Sequence, residues 1–156
     1  MSLFNVWIDA DSCPSLVRNH AIKMSNKYNL KIILVANKKI HCDTIFPYEM
    51  QICSKQKDAA DDFILENVKS NDLVITRDII FASKLLNKNI TTINDRGTVF
   101  DPENIVKFLS ERDFNMQLAE IGLVKHFNNG YDKKMFSLFA NAFDREINKL
   151  LKKCKK

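Results

Sequence analysis

The sequence predicts an α/β protein of three layers, a central and mainly parallel sheet between helices, and three observations carry that expectation. Short apolar runs alternate with segments that repeat at helical spacing, the pattern of successive βαβ units. The apolar runs end in polar residues at their carboxyl ends, and two of them end in aspartates. A chain of 156 residues, 46% hydrophobic and 28% charged, suits one globular domain with a proper core.

Phe4 to Ile8 forms the first strand and runs into Asp9-Ala10-Asp11. Pro14 to Lys27 is a helix, with Ser12 as its N-cap and Pro14 at an early helical position. Leu16, Val17, His20, Ala21 and Met24 recur on one mostly apolar face, which makes His20 a packed core histidine rather than a ligand. Lys31 to Ala36 is the second strand and ends at Asn37. Residues 38–48 show no clear pattern and contain Pro47, after which Tyr48 to Cys53 alternates as a short strand does. Asp58 to Val68 is helical until Ser70-Asn71-Asp72 breaks it. The strand Leu73 to Thr76 then leads to Arg77-Asp78, a helix spans Ile79 to Leu86, and the strand Ile90 to Ile93 ends at Asn94.

Asp101-Pro102-Glu103 opens a helix to Leu109, and a separate helix covers Phe114 to Ile121. Asn128-Asn129-Gly130 is a turn. The last helix, Lys133 to Leu151, gathers Phe136, Phe139, Ala140, Phe143, Ile147, Leu150 and Leu151 on one docking face. Residues 1–130 therefore read as the α/β domain, and residues 131–156 as a docking helix and basic tail of the same domain.

The net charge of +5 sits in that tail: from Tyr131 to Lys156 there are eight Lys/Arg against three Asp/Glu, and the rest of the chain balances. Such a tail attracts nucleic-acid phosphates, or is a solvated helix end whose lysines suit the C-terminal dipole. No apolar run approaches the roughly 20 residues that span a bilayer, and no secretory leader pattern is visible, so a cytoplasmic location without membrane contact is expected. Cys13, Cys42, Cys53 and Cys154 form no C-x-x-C pair, and His20, His41 and His126 share no ligand spacing. Zinc clusters and a disulfide framework are not expected.

The carboxylates carry the functional signal. Parallel strands gather their polar tips along one sheet edge, where open α/β sheets bind ligands. Asp9 sits at the first such tip; Asp11 either joins it or, with Ser12, caps the next helix. At about 100° per residue, Asp61 falls beside Ile64 and Val68 and tucks inward, Asp58 borders it, and Asp62 lies on the outer face. Asp78 follows the Val74-Ile75-Thr76 strand, where Thr76 can hydrogen-bond a carboxylate or a water. Asn37, Asn94 and Arg96 complete the edge, Arg96 either reaching a phosphate or pairing at the surface. Asp9, Asp61 and Asp78, with Asp11 and Asp58 beside them, make an oxygen-rich set suited to Mg²⁺ or Mn²⁺ and to hydrolysis at phosphorus.

Asp9-Ala10-Asp11-Ser12-Cys13-Pro14, Val35-Ala36-Asn37, Asp58-Ala59-Ala60-Asp61, Asp72 through Asp78, and Asn94-Asp95-Arg96-Gly97, in that order, resemble the YaiI/YqxD family of bacterial proteins, grouped with PIN-like domains. The resemblance covers most of residues 3–122. It implies a PIN-like sheet with helices on both faces, and a Mg²⁺- or Mn²⁺-dependent nuclease acting on RNA. It also implies acidic residues where Asp9, Asp61 and Asp78 stand. Where this chain has Asp95 the family usually has Pro, so the resemblance assigns Asp95 no role.

Two other readings are open. Strand-Asp-x-Asp at Asp9 and Asp11 resembles the nucleophile motif of haloacid-dehalogenase-type phosphatases, but the acidic pair Asp61-Asp62 precedes Thr76, the reverse of that order. A module that binds RNA or protein without cutting is the third, since fold does not establish activity. A thiol phosphatase is closed by Arg18, which stands one residue too near Cys13.

Overall fold

The computed structural model describes residues 2–123 and 130–155. Its strands are β1 (Asn5–Asp9), β2 (Lys31–Ala36), β3 (Glu49–Ile52), β4 (Leu73–Ile75) and β5 (Thr91–Ile93). Its helices are α1 (Ser15–Lys27), α2 (Ala59–Asn67), α3 (Ile79–Asn87), α4 (Pro102–Glu120) and α5 (Lys133–Cys154). All strand pairs are parallel, in the order β3-β2-β1-β4-β5. The chain thus winds outward from β1 to β3 in one direction, then crosses back to β4 and β5 on the other side of β1.

Alternation along the strands decides the layers. Val6 and Ile8 of β1, with Ile32 and Leu34 of β2, point to one face, where Val17, Ala21 and Ile22 of α1 and Phe139, Phe143 and Ile147 of α5 cover them. Trp7, Ile33, Val35 and Val74 point to the other face, against Ile64 of α2 and Phe81 and Leu85 of α3. The result is an α/β/α sandwich, as the sequence pattern implies. Asp72 fixes β1 against β4 at the amino edge. Its buried carboxylate accepts hydrogen bonds from Asn5 N (2.8 Å), Trp7 Nε1 (3.0 Å) and Lys69 N (2.9 Å).

Several expectations are corrected. Pro14, not Ser12, is the N-cap of α1, and no side chain caps that end. The buried face of α1 is Val17, Ala21, Ile22 and Ser25, rotated from the expected one, because both the sheet and α5 pack on it. Leu16 is therefore exposed, and His20 is half-buried with its ring edge-on to Phe136, Phe139 and Phe143. Burial, with the nearby Lys23 charge, lowers the His20 pKa. The two helices expected over residues 101–121 are one, α4, capped by a reciprocal pair in which Asp101 and Asn104 bond each other's backbone. Only Ile105 of α4 is buried, so its polar middle carries no packing signal to read. On α5, Ala142 and Glu146 join the buried face, and Ala140 and Leu151 stand at its margin. Asn128, Asn129, His126 and Lys156 lie outside the described residues. Among the described residues no helix is long and apolar enough to cross a membrane.

Candidate functional site

The reversal of winding falls between β1 and β4, and the crevice outside their carboxyl ends is the position at which open α/β sheets bind ligands. One open cavity of about 300 Å³ lies there, lined by Asp9, Asp11, Ser12, Asn37, Asp58, Asp61 and Asp78, together with Lys55 and Lys57. Five carboxylates from three separate segments share it: the end of β1, the start of α2 and the start of α3. Among the described residues none of them is in an ion pair.

Each is held differently. Asp9 ends β1, and its Oδ2 accepts a hydrogen bond from Thr76 Oγ1 at 2.9 Å. The same hydroxyl oxygen accepts from Asp78 N at 3.1 Å, so the buried Thr76 ties the tip of β1 to the residue that starts α3. Asp78 caps α3, its Oδ1 accepting from Phe81 N at 3.1 Å, while Oδ2 makes no hydrogen bond among the described residues. Asp11 accepts from the backbone N of Asn37 at 3.1 and 3.2 Å. Asn37 thus acts through its main chain, and the capping alternative for Asp11 is removed by the Pro14 cap. Asp58 is the N-cap of α2 in a left-handed conformation (φ 63°), which aspartate tolerates better than most residues. Asp61 lies half-buried one turn in, and its side chain takes part in no hydrogen bond among the described residues. Ser12 lines the cleft and accepts from Arg77 through its carbonyl.

The electrostatics reflect this crowding. Burial raises the Asp9 pKa to about 6, with the Asp78 and Asp11 charges adding and the Thr76 hydrogen bond opposing. Burial raises Asp61 to about 7, and the charges of Asp9, Asp78, Asp58 and Asp62 add to it. Near neutral pH such a cluster retains a proton that belongs to the group rather than to one residue. The N-termini of α2 and α3 at the cleft offset part of the repulsion.

All the donors are oxygens, the chemistry that a hard divalent cation takes. As the side chains stand, no three His, Cys, Asp or Glu groups among the described residues are gathered closely enough to hold a metal ion. Cys13 is a buried thiol with its pKa pushed up to about 12 by burial, which leaves it inert.

Asn94 and Arg96 are not in this cleft. They line a second cavity beside it, with Arg77. Asn94 Oδ1 accepts from Arg96 N (3.0 Å) and Thr98 N (2.9 Å), so its side chain builds a turn rather than meeting a ligand. Lys55, Lys57, Arg77 and Asp95 are not among the residues the sequence points to, yet all four line one of these two cavities. The Lys55-Gln56-Lys57 run just before Asp58 was a visible signal for the first two; the Arg77–Asp95 pair, 3.3 Å apart with Asp95 buried, had none. A larger cavity, about 540 Å³, lies away from these residues, between α1 and the loop after β2, with Leu16, Ile45 and Phe46 among its lining.

A family model described as "Uncharacterized BCR, YaiI/YqxD family" matches residues 7–149, so the match extends through most of α5. A "UPF0178 protein" of Treponema denticola is 38% identical over 147 residues, 94% of each chain. Another from Trichlorobacter lovleyi is 32% identical over 151 residues, 97% of this chain and 98% of its own. A third from a Marinomonas species is 33% identical over 147 residues, 94% of this chain and 99% of its own. No solved structure matches.

Proposed function

The chain belongs to the YaiI/YqxD family, whose description carries no activity, and within it we propose a Mg²⁺- or Mn²⁺-dependent phosphodiesterase of PIN-like type that hydrolyses RNA. The observation that carries this reading is the convergence of Asp9, Asp11, Asp58, Asp61 and Asp78, none in an ion pair among the described residues, at the switch point of a parallel sheet. Carboxylates sharing one cleft repel one another, and a proton, or a cation that draws Asp9, Asp61 and Asp78 together, would offset that cost. A hard divalent cation held by Asp9, Asp61 and Asp78 would supply charge neutralisation at a phosphorus centre and a more acidic water.

The remaining roles belong to the chain itself. Thr76 orients the Asp9 carboxylate and, through Asp78 N, the start of α3. Asp78 is anchored by one oxygen and offers the other. In the metal-free cleft burial and its neighbours raise Asp61 to about 7, and a bound cation would displace the proton it retains there. Asp11, steadied by Asn37 N, and Asp58 at the head of α2 border the cleft and suit the orientation of water. Lys55 and Lys57 bring positive charge to its rim for the flanking phosphates.

The test is cleavage of a panel of single-stranded and structured RNAs with Mn²⁺, Mg²⁺ or EDTA, wild type beside Asp9→Asn. Metal-dependent cutting that disappears in the variant supports the reading and puts Asp9 in the machinery. Folded, metal-supplied wild type that binds these RNAs without cutting them would replace it with a binding module.

A further inference from the structure

The acidic cleft has a basic neighbour. Beyond the switch point, the segments after β4 and β5 enclose an open cavity of about 200 Å³ lined by Arg77, Asn94, Asp95, Arg96, Phe100 and Phe108, among others. Arg77 lines this cavity and precedes Asp78, which lines the cleft. Its guanidinium donates through one terminal nitrogen to the carbonyl of Ser12 (3.2 Å), and Ser12 lines the carboxylate cleft. Its Nε lies 3.3 Å from the buried Asp95 Oδ2. The Ser12 hydrogen bond and this ion pair restrain the guanidinium, which makes no other hydrogen bond among the described residues, and Asp95 Oδ2 is buried there without a hydrogen-bond partner.

Asp95 cancels the Arg77 charge, so the net attraction for an anion comes from Arg96. That side chain is exposed and in no ion pair among the described residues. Its starting point is set by the Asn94 turn, in which Gly97 takes a positive φ of 86°. Phe108, partly buried and edge-on to Phe100 at 5.7 Å, supplies an aromatic floor. Two guanidiniums and an aromatic ring lining one cavity are suited to a phosphate with its sugar or base against the aromatic surface. An unstacked base is free to use that ring, whereas a paired one is not.

We propose that this cavity is a phosphate subsite for single-stranded RNA. It holds the phosphate next along the strand from the one presented to Asp9, Asp61 and Asp78, so the strand runs along the carboxyl edge from the Lys55 and Lys57 side toward β5. The proposal rests on the phosphodiesterase reading for the role of the neighbouring cleft. Arg96 is the residue to test, because it is exposed and its loss leaves the Arg77–Asp95 pair intact.

Binding of a labelled single-stranded oligouridylate is measured by anisotropy in EDTA, over a range of salt, for wild type and in an Asp61→Asn background that relieves the cleft's repulsion. Arg96→Ala is expected to weaken binding roughly tenfold. It should also lower the slope of log Kd against log salt by about 0.7, the loss of one single-strand phosphate contact. Arg96→Lys should retain part of both, and Lys84→Ala, which removes one charge and lines neither cavity, should change neither. Metal-dependent cutting by wild type with an unchanged Kd and slope in Arg96→Ala would overturn the subsite and leave the phosphodiesterase standing. The expected loss in Arg96→Ala without any cutting by wild type would do the reverse. No binding by either background, or equal Arg96-dependent binding of a duplex, would overturn the subsite as stated.

Discussion

Replacing Asp61 with asparagine should stabilise the metal-free protein, an outcome opposite to that of most substitutions at half-buried positions. The side chain makes no hydrogen bond among the described residues, so asparagine loses none there, while the negative charge beside Asp9 and Asp78 disappears. Burial and those neighbours raise the carboxyl from 3.8 to about 7. A rise of about three pH units is worth about 4 kcal/mol for a fully shielded group. Asp61 is only half-buried, and solvent screening brings the expected gain to about 1–2 kcal/mol at pH 8. For a chain of this size that is a rise of roughly 2–8 °C in Tm.

The sign follows from linkage. A raised carboxyl binds more protons folded than unfolded, so wild type loses stability as pH climbs from about 4 to about 7 and recovers it on acidification. The Asp61→Asn advantage is therefore largest above about pH 7, smaller at pH 5, and fades on further acidification below about pH 4. Urea unfolding in EDTA at pH 8 and pH 5 measures it. Millimolar Mn²⁺ or Mg²⁺ at pH 8 should stabilise wild type more than the variant and close the gap. A variant that is destabilised or unchanged at pH 8 without metal would refute the view of the cleft as a repulsive, cation-seeking cluster.

Thr76→Val keeps the shape of a buried residue but removes the donor to Asp9 and the acceptor for Asp78 N. It should cost about 1–3 kcal/mol by denaturant unfolding, and NMR titration should find Asp9 above its wild-type value, since the Thr76 hydrogen bond lowers it. Gly97→Ala places a methyl against the backbone carbonyl of Leu138 at a φ of 86°. It should destabilise by more than about 1 kcal/mol, and hydrogen exchange should rise at the start of α5; an unchanged Tm would refute the close approach.

Much of the fold was legible locally. A short apolar run followed by Asp, as at Ile8-Asp9, marks a strand end, and that is where Asp9 stands. The helical angle of Asp61 relative to Ile64 was readable because both belong to one short helix whose geometry is fixed. The division of α1 into buried and exposed faces was less so, because its apolar pattern records the sheet while α5 covers a further arc. The continuity of α4 was hidden for the opposite reason: a helix with one buried residue has almost no periodicity to show. Asn94 and Arg96 were placed at the right edge but not in the right cavity, since the sequence carries no measure of how far one strand tip lies from another.

The sequence by itself determined the elements, their alternation and the carboxylates at their ends, because these depend on period and on residue chemistry within a few positions. The tertiary structure decided the strand order, and with it the switch point between β1 and β4 that turns separate aspartates into one cleft. It also decided the partners across distance: Thr76 with Asp9, Asp72 with Trp7, Arg77 with Asp95. Parallel pairing joins residues tens of positions apart through backbone bonds that any side chain permits. Which strands meet is therefore settled only when helices on both faces bury their apolar sides together.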